Sequence, residues 1–187
     1  MPAEALIVRP QVIVARRGLA IVLGAALVAA AAQIAIPIPG TPVPMTLQPL
    51  AVLIVGGLLG RWLGASSLLF YLALGAAGLP VFTPIGLPGI ARLVGPTGGY
   101  LLAYPVAAFA AGAIATTPAT IARLALAALV GVLLIHLGGL AQLLVLTGSL
   151  QAAAQLGTLP FLLGDLGKVV LAVLALKPTI GPLRARL

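Results

Sequence analysis

The 187 residues include no cysteine, only two acidic residues and a single histidine. The missing cysteines exclude disulfides, thiolate metal sites and cysteine nucleophiles. Glu4 and Asp165 are too few to build a carboxylate cage for a metal, and one histidine beside one intramembrane aspartate makes a poor nucleophile–base set, so neither an enzyme nor a metal cofactor is expected. Charge of any kind is scarce, at 6% Asp, Glu, Lys and Arg against about 25% in soluble domains. A soluble globule of this size could not cover its surface with so little charge, which excludes soluble, disordered and collagen-like classes. Apolar side chains are abundant instead, at 62% of residues with a mean hydropathy of +1.27. The composition is that of an integral membrane protein, and at about 20 residues per crossing the chain holds six or seven helices and no second, soluble domain.

Proline, glycine and arginine punctuate the apolar runs and predict six spans, near residues 18–36, 46–60, 62–79, 96–114, 121–147 and 160–177. The fold class is thus an all-α membrane bundle. Residues 1–17 form a cytoplasmic amino-terminal segment, 18–177 the six-helix membrane domain and 178–187 a basic cytoplasmic tail. Pro37–Met45 and Pro80–Pro96 read as structured loops, and the other connections as tight turns. The net charge of +8 would suggest nucleic acid in a soluble protein, but here the basic residues sit at the ends of apolar runs, where they set topology. With the amino terminus in the cytoplasm, Arg9, Arg16, Arg17, Arg61, Arg123, Lys177, Arg184 and Arg186 all fall inside, while only Arg92 falls outside. Both termini are then cytoplasmic. The first span has a longer apolar core than the about 7–15 residues of a cleavable signal, so it is expected to be retained.

This topology gathers polar residues in the outer third of the bundle: Gln33, Thr46, Gln48, Thr97, Tyr100, Gln142, Asp165 and Lys168. A charge near a helix centre costs about 2.5–3.5 kcal/mol on insertion scales. Asp165 and Lys168, at i and i+3, share a helix face and compensate each other. They are either a staple between helices or a binding site, and intramembrane charge favours the site. Gly95-Pro96-Thr97-Gly98-Gly99-Tyr100 has glycines that admit close backbone approach, to a neighbouring helix or to a ligand walled by Tyr100. It lacks the lysine of a phosphate-binding P-loop, so ATP hydrolysis by this chain is not expected. His136 reads as an interhelical hydrogen-bonding group, and Arg61 with Trp62 as an interfacial anchor. Small residues repeat at four-residue spacing as Ala25/Ala29 and Ala26/Ala30, and as Gly56, Gly60 and Gly64. Such faces pack within a chain or dock another subunit.

Four segments in order, Pro42-Val-Pro-Met-Thr-Leu-Gln48, Gly75-Ala-Ala-Gly-Leu-Pro-Val-Phe82, Leu93-Val-Gly-Pro-Thr-Gly-Gly-Tyr100 and Pro160-Phe-Leu-Leu-Gly-Asp-Leu-Gly-Lys168, closely resemble the BioY family. These are biotin-specific S components of energy-coupling factor (ECF) transporters. The resemblance implies capture of biotin from the outer face of a bacterial or archaeal plasma membrane, without a cofactor. It also implies partnership with a transmembrane coupling protein and two ATP-binding cassette ATPases. It points to Asp165, Lys168 and Arg92 as ligand contacts, joined by the polar or close-packed Tyr100, Gln48, Gly98 and Gln142. The Ala25, Ala29, Ala26 and Ala30 face of the first span would meet the coupling protein. The family's polar residue near the end of helix 3 has no counterpart at Ala77-Gly78-Leu79. Outside this resemblance, an S component for another vitamin, a solitary proton-linked carrier and a non-transporting scaffold remain open readings.

Overall fold

A computed structural model describes residues 10–187; Glu4, Arg9 and most of the expected amino-terminal segment lie outside them. Helix α1 (Pro10–Gln33) starts at a proline, which tolerates the first turn of a helix, and stops before Pro37 and Pro39. The strands β1 (Ala35–Ile36) and β2 (Met45–Thr46) pair antiparallel, Ala35 opposite Thr46, and close the proline-rich loop between them into a small flap. Then come α2 (Gln48–Ala76), the short α3 (Ala91–Val94), α4 (Gly98–Ile114), α5 (Ile121–Thr147), the short α6 (Leu150–Gly157), a single 3-10 turn at Leu159–Phe161, and α7 (Leu162–Arg184).

Four helical stretches are long and apolar enough to cross a membrane: Gln11–Gln33, Gln48–Ala76, Ile121–Thr147 and Leu150–Arg184. Gly98–Ile114 is apolar but shorter. Large hydrophobic side chains face outward along them, Leu163 at 87% and Val145 at 83% exposure among the most open. In water such a surface would aggregate, whereas lipid solvates it. The chain is a multi-pass helical membrane protein.

The expected second and third spans are one α2 element broken at Gly60, whose φ of 81° and ψ of 176° leave the helical region. A Cβ on Gly64 would lie 2.9 Å from the Cα of Gly56. Eight residues of straight helix would separate them by about 12 Å, so α2 doubles back as a hairpin. The break frees carbonyls that a continuous helix would bond, and Arg184 takes them up. Its Nε and Nη2 donate to the Gly57 carbonyl at 3.1 and 2.6 Å, and Nη2 also donates to that of Gly112 at 3.1 Å. A Cβ on Gly56 would sit 2.5 Å from the Ala108 oxygen, so the glycines around the break let α4 lie directly on it.

Two connections differ from expectation. The turn expected between the last two spans holds α6, because Gly148 ends α5 in the left-handed conformation (φ 68°) and Ser149 caps the next helix by accepting from the Ala152 amide at 3.3 Å. The expected basic tail is helical as far as Arg184, running through Pro178 and Pro182. Small residues also sort differently. Ala25, Val28 and Ala32 are buried in a seam against α2, where a Cβ on Gly24 would fall 2.6 Å from the Ser67 Oγ. Ala29 is half-buried on that seam, while Ala26 and Ala30 face outward. The expected four-alanine docking face is therefore two faces: Ala25 and Ala29 serve internal packing, and only Ala26 and Ala30 remain open to a partner.

Candidate functional site

At the end of the bundle marked by Gln48 and Asp165, the β1–β2 flap, the start of α2, the 82–97 loop, α4, α5 and α7 line a partly open cavity. Its floor is built on α7. Asp165 and Lys168 lie one turn apart, and Lys168 Nζ donates to Asp165 Oδ1 at 2.7 Å. From α5, His136 Nε2 meets the other carboxylate oxygen, Oδ2, at 2.6 Å. All three side chains are at least nine-tenths buried.

Hydrogen-bond chemistry assigns the imidazole tautomer. An ionised carboxylate only accepts, so Nε2 carries the proton and donates it; the other ring nitrogen, Nδ1, is buried without a partner. Each Asp165 oxygen is thus bound once by protein and keeps lone-pair capacity, and Lys168 keeps two of its three N–H donors. Side by side, the free acceptor and free donors can grip a group that offers N–H beside a carbonyl.

Aromatic and apolar groups make the walls. Tyr100 turns its ring to the cavity, edge-on to His136 at 6.2 Å between centroids, because its hydroxyl is anchored away from it, donating to the Gly157 carbonyl at 2.5 Å. Gly139 and Gly157 are glycines where that ring and hydroxyl need the space. Tyr104, Phe82 and Phe161 add apolar surface, and Val43 and Pro44 cover it from the flap. The flap is tied to α6 by Thr41, whose hydroxyl donates to the Leu156 carbonyl at 2.5 Å. Gln48 donates through Nε2 to the buried Tyr71 hydroxyl at 2.7 Å, and its Oε1 accepts from Thr46 at 3.2 Å. Arg92 lines the cavity's rim and is 5% exposed. It donates from Nε to the Leu87 carbonyl at 2.6 Å, from Nη1 to the Thr83 hydroxyl at 2.8 Å and to the Ile85 carbonyl, and from Nη2 to the Thr83 carbonyl at 2.8 Å. Burial lowers its pKa from the ordinary guanidinium value. Four of its five N–H groups are committed to the 83–87 loop, so one remains for a ligand.

Comparison with known proteins places the chain in a family. The sequence model of the BioY family matches residues 5–184. The chain belongs to the BioY family. Among curated relatives, the probable biotin transporter BioY of Pyrococcus horikoshii is 41% identical over 157 residues, covering 82% of this chain and 90% of the relative. The biotin transporter BioY of Thermotoga maritima is 36% identical over 149 residues, covering 80% and 86%. Among solved structures, the S-component for biotin from an ECF-type ABC transporter superposes with a TM-score of 0.79 at 27% identity, covering 92% of this chain and 93% of that one.

Within this BioY chain the structure brings Asp165, Lys168, Arg92, Tyr100 and Gln48 to one cavity. It does not bring Gln142 or Gly98 there. Gln142 Nε2 donates to the Val94 carbonyl at 3.0 Å and braces the turn before α4. Gly98 is a glycine because a Cβ would run into the backbone of Leu93, so its close approach is to α3 and not to a ligand. The cavity residues that the sequence reading did not assign to the site include His136, Tyr104 and Phe161. His136 carried a signal, since a lone histidine in an apolar helix is costly and needs a partner, but nothing in the spacing said that the partner was Asp165.

Proposed function

We infer that this chain is the substrate-binding subunit of a biotin uptake system, and that biotin occupies the cavity above α7. The observation that carries the reading is the His136–Asp165–Lys168 set, which leaves a carboxylate acceptor and ammonium donors free at the bottom of an apolar, aromatic-walled pocket. Biotin offers a ureido ring with two N–H donors flanking a carbonyl, an apolar bicyclic body and a carboxylate at the end of a flexible chain. Asp165 accepts a ureido N–H, Lys168 donates to the carbonyl, and Tyr100, Phe161 and Phe82 hold the ring system. The remaining N–H of Arg92 at the rim faces the carboxylate. Asp165, Lys168 and Arg92 sum to one positive charge, which a monoanionic ligand neutralises in a low-dielectric site.

The membrane arrangement follows the same reading. The Gly60 hairpin supports two crossings in α2 and a total of six. Both termini and most basic residues lie in the cytoplasm, and the cavity opens to the outer face of a bacterial or archaeal plasma membrane. The partners are a transmembrane coupling protein and two ATP-binding cassette ATPases, consistent with the solved ECF-type relative. Because this chain has no phosphate-binding loop, energy comes from those partners, and no residue here has a catalytic role.

Calorimetric titration of the purified full chain with biotin, against thiamine and riboflavin, tests the reading. Saturable binding of biotin alone is expected. No heat and no thermal stabilisation with biotin would overturn it.

A further inference from the structure

A second, shallow hollow lies at the other end of the bundle, where α1, the Gly60 break and the end of α7 meet. Arg184, in its lining, is 19 residues beyond Asp165 on α7, or about 28 Å along the helix. Three guanidinium groups converge here, from Arg17, Arg61 and Arg184, and no acidic residue is in the lining. Among the described residues the sole carboxylate side chain is Asp165, in the biotin site. Three cations against the single main-chain carboxylate of Leu187, the last residue described, leave a net positive potential that attracts an anion.

The donors are partly committed in a way that orients the rest. Arg184 spends Nε and Nη2 on the Gly57 and Gly112 carbonyls, which fixes its plane and leaves the Nη1 edge. Arg17 spends Nε on the Leu187 backbone oxygen at 3.2 Å and keeps both terminal nitrogens. The Arg61 guanidinium carbon lies 5.7 Å from the centre of the Trp62 ring. Trp62 is 67% exposed but held edge-on against Phe109 at 4.9 Å, so it offers a fixed amphipathic face beside the cations. Leu59, Gly60, Leu63 and Leu187 complete the lining.

We propose that Arg17, Arg61 and Arg184, with Trp62, form a binding site for the phosphate group of an anionic phospholipid. Guanidinium forks match pairs of phosphate oxygens better than ammonium groups do. A free phosphate ion would use the same donors, but the exposed indole, Leu59 and Leu63 favour an occupant with an acyl chain. Tryptophan is enriched at the headgroup level of bilayers, the depth at which such a phosphate lies. The site is separate from the cavity and does not depend on what that cavity binds.

The test uses the full chain in a neutral detergent, with thermal unfolding followed in added phosphatidylglycerol, phosphatidylcholine or inorganic phosphate. Phosphatidylglycerol at well above its dissociation constant is expected to raise the Tm by about 5 °C, and phosphatidylcholine to leave it unchanged. Arg17→Gln combined with Arg61→Gln should remove most of that rise while biotin affinity stays at the unmodified value. Arg184 is left alone because it closes the α2 break. Equal stabilisation by phosphatidylcholine, or a full phosphatidylglycerol effect in the double variant, would overturn the proposal. Reproduction of the whole shift by inorganic phosphate would assign a soluble anion and overturn the lipid. Should the double variant not fold, native mass spectrometry of the unmodified chain decides: selective retention of phosphatidylglycerol over phosphatidylcholine supports the site, and unselective loss of both refutes it.

Discussion

Asp165 lines the cavity and has two partners, Lys168 one turn along α7 on one carboxylate oxygen and His136 of α5 on the other. Replacing it with asparagine removes the charge that Lys168 needs and one acceptor for the ligand. With charge-assisted hydrogen bonds worth about 1.5–3 kcal/mol each, Asp165→Asn is expected to weaken biotin binding by about 100-fold by calorimetry; unchanged affinity with lowered Tm would make the pair a staple only. Under the proposed reading His136 is a positioning residue that acts on the ligand through its contact with Asp165. His136→Gln keeps a donor for Oδ2 and should hold biotin affinity within about threefold, whereas His136→Leu leaves that oxygen without its donor and should cost about tenfold, the loss of one net hydrogen bond to a charged group. A purely structural histidine would show the two variants separating in Tm but not in affinity. At Arg92 the structure adds a second role, bracing its own loop, to the ligand contact that the family resemblance implies. The residues before Gly95 pointed to a ligand contact, while the side chain spends four N–H groups on its own loop. Arg92→Lys, which keeps the charge but cannot fork, should expose the 83–92 loop to limited proteolysis and lower biotin affinity together; lost affinity with an intact loop would restore the contact-only role.

At the scale of elements, hydropathy and punctuation located α5 and the start of α7, which follow from apolar runs bounded by proline, glycine and arginine, whereas α1 begins at Pro10, eight residues before the expected start at 18. Geometry that depends on a second element was not legible. The Gly56, Gly60 and Gly64 spacing announced close packing, but only the φ of 81° at Gly60 shows that the helix reverses there, and only Arg184, 124 residues further along the numbering, shows how the freed carbonyls are satisfied. The α6 helix was missed because an eight-residue amphipathic segment gives too short a period to stand out beside long apolar runs. In the site, Asp165 and Lys168 were readable because they are neighbours on one helix, whereas His136 needed the packing of α5 on α7. The break gives a direct test. Gly60→Ala forces a side chain into a backbone region that is almost exclusive to glycine, at a cost of about 1–3 kcal/mol. A fall in Tm of several degrees is therefore expected, read by thermal unfolding in detergent, while Gly18→Ala, inside α1 where an added Cβ meets nothing within 4 Å, should not lower the Tm, because alanine favours a helix interior over glycine.

For the whole molecule, the distribution of small residues on α1 separates folding from assembly. This helix packs on α2 along Gly24, Ala25, Val28 and Ala32 and leaves its other side to lipid or to a partner. A bulky residue on the inner seam breaks the chain's own packing: Ala25, at 2% exposure, has no room for a leucine, and overpacking of this kind costs about 1–3 kcal/mol. The outward stripe at Ala26 and Ala30 is where a second transmembrane protein could approach closely without disturbing the cavity, which α1 does not line. Ala26→Leu combined with Ala30→Leu is accordingly expected to leave Tm and biotin affinity unchanged but to cut co-purification with the coupling protein and ATPases several-fold, and uptake with it. Ala25→Leu should lower Tm, and any loss of assembly should follow from that. If the outward double variant assembles and transports normally, the partner meets another surface and α1 faces lipid alone.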